Sequence, residues 1–172
     1  MPTCPRCALL AVVLAFLAFS GCDSNNPGRD LALIDGVYSL EALTFDPVTQ
    51  GLPTADLGAR LDLAGTSLEI FGADDQALLR IRYPDAPTRR VDLSVTAARG
   101  RATFTGVTQE DRDDLADLFL PAEFVLTYEG ESPRVLANTF ERTGVDLQAF
   151  DPTLYQDQRS NRGTLTVRFR RP

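Results

Sequence analysis

From Arg90 to Ala97 apolar and polar residues alternate without a break, with Val91, Leu93, Val95 and Ala97 set against Arg90, Asp92, Ser94 and Thr96. Successive side chains of a strand point to opposite faces, so this segment has one oily and one wet face only as a β-strand. The same pattern returns along the chain, broken by turn residues at intervals of about 8–12 positions, which is the rhythm of a sandwich or barrel. The alternation predicts strands over 36–45, 58–64, 67–72, 76–83, 88–97, 101–107, 122–129, 133–141 and 163–170. In the first of these, Tyr38, Leu40 and Ala42 share one face while Leu43 and Phe45 fall on the other. That slip predicts a bulge, or a strand covered on both faces.

Two segments depart from the rhythm. Thr108 to Phe119 opens with Thr108 and, three residues on, Asp111, a capping-box spacing with Asp in place of Glu or Gln. Glu110, Asp111, Asp113 and Asp114 crowd the first turns, where the helix dipole favours negative charge, and Pro121 follows the end. Leu115, Leu118 and Phe119 share one face, so a short helix is predicted, packed on the sheet or closing one end. Asp146 to Tyr155 reads as a helical turn broken at Pro152, or as a long loop.

Short amphipathic strands joined by hairpins must bury one face, and closure also removes the unpaired edges that invite aggregation. The fold expected is therefore all-β: a small antiparallel up-and-down barrel of eight or nine strands with one or two short helices, a sandwich being the alternative. Glu69, Arg80, Arg82 and Asp92 stand opposite the apolar rows. A transmembrane barrel would turn its apolar row to lipid and enclose polar residues; here the apolar row is expected inside and the charged row in water.

Ahead of this body, twelve apolar residues (Ala8 to Phe19) follow a short head carrying Arg6 and meet Ser20-Gly21-Cys22. As a helix the run would reach roughly 18 Å, short of the ~30 Å hydrocarbon core, which suits a secretory leader better than a permanent span. Ser20-Gly21-Cys22 resembles the lipobox of bacterial lipoproteins, with Phe19 where Leu is usual. The resemblance implies cleavage before Cys22 and acylation of Cys22, by diacylglycerol on sulfur and a fatty acyl chain such as palmitate on the new N-terminus. It divides the chain into a signal peptide (1–21), a flexible tether (22–30, polar, with Pro27 and Gly28) and a barrel domain (31–172). The membrane is then a partner through the lipid on Cys22. The protein is expected in the cell envelope, on the outer membrane or on the periplasmic face of the inner one.

Removal of the first 21 of 172 residues would leave 151, one ordinary domain. Cys4 and Cys7 have CxxC spacing but lie in the leader, so with Cys22 acylated no thiol or disulfide remains to the body. The chain has no histidine, which removes His-based triads and His-ligated zinc. Every basic residue is arginine, and 24 acids outnumber 17 bases, so phosphate backbones are repelled and nucleic acid is not an expected partner. Ser and Thr have neither histidine nor lysine as a base, and no Gly-x-Ser-x-Gly elbow or phosphate loop occurs. No enzymatic activity, catalytic residue, metal or cofactor is expected. The cluster from Glu110 to Asp114 lacks the spaced ladder and glycine of a calcium loop and reads as a helix start.

The body also resembles lipocalin-type barrels. Gly36-Val37-Tyr38 is similar to their Gly-x-Trp start with Tyr in place of Trp, and the resemblance implies that Arg168 or Arg170 on the last strand covers the barrel floor. An eight-stranded barrel either fills with its own side chains or holds one small apolar ligand. Tyr38, Leu61, Leu63, Ile70, Ile81, Tyr83, Leu93, Val95, Phe104, Phe124, Leu126, Val167 and Phe169 are expected to face inward. In the hollow case Tyr38, Tyr83 and Phe104 ring the ligand; in the packed case the domain is an envelope accessory that works through its surface.

Overall fold

The computed structural model describes residues 27–172, a closed antiparallel β-barrel. Its elements are α1 (Pro27–Ile34), β1 (Gly36–Pro47), the two-residue β2 (Ala55–Asp56), a 3-10 turn (Leu57–Arg60), β3 (Ser67–Phe71), β4 (Gln76–Ile81), β5 (Arg89–Ala98) and β6 (Arg101–Gly106). They continue with α2 (Gln109–Asp117), β7 (Glu123–Thr127), β8 (Val135–Val145), α3 (Leu147–Phe150) and β9 (Asn161–Arg170). Eight strands, β1 and β3 to β9, pair in chain order, and β9 returns to β1 to close the ring; β2 is an extra strand on β1.

The alternation read from the sequence is the alternation of burial. In β5 Val91, Leu93, Val95 and Ala97 are buried and their neighbours exposed. Arg99 and Gly100, both at positive φ (53° and 76°), make the two-residue loop to β6. Positive φ at both central positions is the hairpin turn whose twist matches the flanking strands. The slip in β1 is a bulge: Leu40 pairs Phe169 and Ala42 pairs Arg168, leaving Glu41 as the extra residue. The bulge lets Tyr38 and Leu40 and then Leu43 and Phe45 all point inward.

The interior is filled by its own side chains. Phe45, Phe104, Phe124 and Phe169 are buried, and the Phe104 and Phe124 rings stack at 5.3 Å. Of the residues expected inside, only Leu63 and Tyr83 are not fully buried; both pack at the margin of the core. Glu69 and Arg80 meet in an ion pair at 2.6 Å on the outer face.

Three expectations need correction. Residues 58–64 do not form a strand; Leu57–Arg60 make a 3-10 turn, and the chain continues irregularly to β3. Leu57 and Leu61 are buried while Ala59 is exposed, so four-residue spacing, not two, sets the inward side here. Residues 27–30, expected in the flexible tether, form the first half of α1, whose Leu31 and Ile34 are buried in the core. Arg168 and Arg170 point outward, where both donate through Nε to Glu41 (2.5 and 2.9 Å). The arginine at the barrel floor is Arg171, one residue past β9 but on the same side as Val167 and Phe169, its amide still donating to the Arg134 carbonyl.

Candidate functional site

The two ends of the barrel are built differently. At one end, α1 lies across the opening. Asp30 Oδ2 accepts from the Arg99 amide in the β5–β6 loop at 2.7 Å, and the Leu31 carbonyl lies 3.1 Å from where a Cβ on Gly72 would stand, beside the β3–β4 turn. Arg171 completes this closed end: its Nη2 donates to the Tyr38 hydroxyl (2.8 Å) and to the Asp35 carbonyl (2.5 Å). Gly36, at φ 126°, supplies a backbone conformation that other residues rarely adopt and brings the chain beneath that guanidinium.

The opposite end is the mouth, capped by α2, α3 and the 3-10 turn. Its key is the start of α2, where Thr108 and Asp111 form the capping box: the Asp111 amide donates to Thr108 Oγ1, and Asp111 Oδ2 accepts from the Thr108 amide at 2.8 Å. Asp111 Oδ1 also accepts from the Asp92 amide at 2.8 Å, tying the helix to the edge of β5. Burial works against the charge on Asp111, but the bonds from Thr108 and Asp92 outweigh it and hold its carboxyl below the usual range. Further along, Arg89 of β5 reaches both Asp114 (2.8 Å) and Asp117 (2.6 Å) of α2.

At its end, α2 turns back sharply. The amides of Phe119 and Leu120 donate to the carbonyls of Ala116 (2.8 Å) and Leu115 (3.0 Å), a Schellman ending with Phe119 at φ 59°. Glycine is the usual occupant of that position; phenylalanine costs about 1 kcal/mol more in left-handed backbone. Its ring lies half-buried over the mouth, 6.5 Å from Phe45.

Beneath these caps opens a pocket of about 350 Å3. Leu43, Leu57, Leu61, Leu118 and Phe119 supply its apolar wall, Tyr83 one side and Phe150 another. Arg60 stands at the rim with its guanidinium carbon 4.0 Å from the centre of the Phe150 ring. Burial is the main cause that pushes the Tyr83 hydroxyl above the ordinary tyrosine range, although nearby Arg89 opposes it, so the phenol is neutral at physiological pH. Asp146 accepts from the Ala149 amide at 2.9 Å as the cap of α3, and Asp117 is held by Arg89. The arrangement offers apolar surface with a hydroxyl and a guanidinium at its margin, the chemistry of reversible binding.

Of the three residues expected around a ligand, the fold brings only Tyr83 to this pocket. Tyr38 is buried at the closed end under Arg171, and Phe104 is stacked in the packed middle. Cys22 lies outside the described residues. Apart from Leu43 of β1 and Tyr83 just past β4, the pocket is drawn from segments without strand periodicity, the 3-10 turn, the end of α2 and α3. The one signal near it was Pro121 just beyond Phe119, marking where the helix stops. Among the described residues no helix is long and apolar enough to cross a membrane.

The fold thus defines a closed eight-stranded antiparallel β-barrel with one end plugged and the other capped over a shallow pocket. Comparison with protein-family models, with curated proteins and with solved structures finds no match for this chain.

Proposed function

We propose that this protein is a lipid-anchored cell-envelope lipoprotein whose barrel binds a small apolar molecule at its mouth, without enzymatic activity. The observation that carries the binding reading is the pocket of about 350 Å3 walled by leucine and aromatic side chains, at the lower end of the range for small-molecule sites. The anchoring reading rests on the apolar leader and Ser20-Gly21-Cys22. Each buried methylene of an acyl chain contributes ~0.8 kcal/mol, and two or more chains hold a protein firmly on a bilayer. Extended chain spans at most ~3.6 Å per residue, so the five steps from Cys22 to the start of α1 reach roughly 18 Å. Because α1 plugs the closed end, lipid on Cys22 would keep that end toward the membrane, outer or inner, and turn the mouth away from it.

Two measurements test this. Labelling cells with an alkyne analogue of palmitate should tag the protein and fail to tag Cys22→Ala; equal labelling of both ends the anchoring reading. Native mass spectrometry and titration with an apolar fluorescent dye should show binding that Leu61→Arg, which places a charge in the pocket wall, abolishes. Dye binding unaffected by that change removes the pocket. The filled interior around Phe104 and Phe124 favours a second reading, an envelope accessory that acts through its outer surface.

A further inference from the structure

The barrel wall has one seam. β7 and β8 pair at a single position, Thr127 with Ala137, whereas β8 pairs β9 along nearly its whole length. Continuing the antiparallel register would set Val125 against Thr139 and then Glu123 against Glu141. Like charges directly opposite each other destabilise a ladder, which is a physical reason for the strands to part there.

At the parting point the Asn138 amide stands in for a peptide unit. Its Nδ2 donates to the Val125 carbonyl at 2.7 Å and its Oδ1 accepts from the Thr139 amide at 2.8 Å. Thr127 Oγ1 donates to the Ala137 carbonyl at 2.7 Å just below. The Thr139 amide therefore faces the seam, and backbone groups of a strand alternate in direction, so those of Glu141 face it as well. Beyond Asn138 no strand partner adjoins this side of β8 among the described residues. The free edge ends at a bulge between Arg142 and Val145, with Gly144 at φ 73°. On the inner side, Phe140 is half-buried and meets Phe124 edge-on at 6.5 Å.

We propose that this wedge, between Glu123 of β7 and Glu141 of β8, is a strand-addition site for an extended polypeptide segment whose side chains alternate basic and apolar. The Thr139 carbonyl and the main-chain amide and carbonyl of Glu141 recognise another main chain, the Thr139 amide being already bonded to Asn138 Oδ1. On its outer side Glu123 and Glu141, the latter already meeting Arg162 at 2.9 Å, leave a net negative charge that selects basic side chains, and Phe124 and Phe140 on its inner side select apolar ones. A second copy of this chain is the poorer occupant, because β8 paired with itself through Thr139 and Glu141 would set the two Glu141 carboxylates on one face, opposite or diagonal to each other. The proposal is independent of the mouth pocket and of lipidation.

The test uses short end-blocked peptides: one alternating lysine and valine, one alternating glutamate and valine, and the first with N-methyl groups on alternate amides. The lysine peptide should bind and slow hydrogen exchange at the Glu141 amide, and N-methylation on the pairing side should weaken it at least about tenfold. Glu141→Lys, an exposed change that leaves the core intact, should reverse the preference toward the glutamate peptide. Three results overturn the proposal: no binding, binding indifferent to N-methylation, or protection of Glu141 that appears without peptide as the protein self-associates.

Discussion

The guanidinium carbon of Arg171 sits 4.8 Å from the centre of the Tyr38 ring while its Nη2 donates to the Tyr38 hydroxyl at 2.8 Å. The same hydroxyl lies 3.4 Å from the Pro133 carbonyl, so one phenol joins the first strand, the last strand and the β7–β8 loop. Tyr38→Phe should lower unfolding stability by about 1 kcal/mol, the net value of a lost hydrogen bond. Arg171→Ala should cost a similar amount or more, because the ring also loses its cation. Urea unfolding of both single variants and the double variant checks the pair: since the residues touch, the losses should fall short of additive.

Asp111 ties the start of α2 to β5. Asp111→Ala removes acceptors for the Thr108 amide and hydroxyl and for the Asp92 amide, and should cost about 2–3 kcal/mol. The mouth pocket should be lost with it, since Ala116 to Phe119 form one of its walls. Apolar dye binding should vanish while the far-ultraviolet signal of the barrel is retained. Because its carboxyl is held below the usual range, Asp111 contributes stability above the unfolded carboxylate range, and this is lost as pH falls through its folded value.

Phe119 separates backbone strain from ring coverage. Phe119→Gly and Phe119→Ala remove the same ring, but only glycine relieves the left-handed backbone at φ 59°. The glycine variant should be more stable than the alanine variant by about 1 kcal/mol in thermal or urea unfolding. Both should weaken dye binding at the mouth to a similar extent.

Four tyrosines, Tyr38, Tyr83, Tyr128 and Tyr155, have hydroxyls pushed above the ordinary range, with burial the largest cause in each. A folded pKa above the unfolded one stabilises the protein fully below the unfolded value of ~10 and loses that stability as pH rises toward the folded value. Unfolding free energy should therefore hold steady up to about pH 10 and then fall. Tyrosinate absorbance should rise together with loss of β-sheet signal rather than before it.

Much of the architecture was legible residue by residue. The facing of Val91, Leu93, Val95 and Ala97 follows from strand stereochemistry, and the shift from Leu40 to Leu43 announced the bulge at Glu41. Thr108 and Asp111 marked the start of α2 because a capping box is a local device. The stretch from Leu57 to Leu63 misled because its apolar residues also fit a short alternating run, and only the folded backbone, with the Leu61 amide on the Gly58 carbonyl, shows a 3-10 turn. Arg171 escaped notice because an arginine does not extend the apolar row of Leu165, Val167 and Phe169, although it takes the next inward position. The mouth pocket was not legible, since the Leu57–Arg60 turn, Phe119 and Phe150 lie in three distant stretches of the chain and share no periodicity.

Sequence alone decided what each segment could be: which face of each strand is oily, where hairpins turn, and where α2 begins. Those properties depend on backbone geometry and neighbours within a few residues. The pairing of β1 with β9, the choice of end that α1 plugs, the seam at Asn138 and the pocket under Phe119 came only with the tertiary structure. Each requires groups distant along the chain to meet, and hydrogen bonding and burial select such partners among whole strands rather than within any one of them.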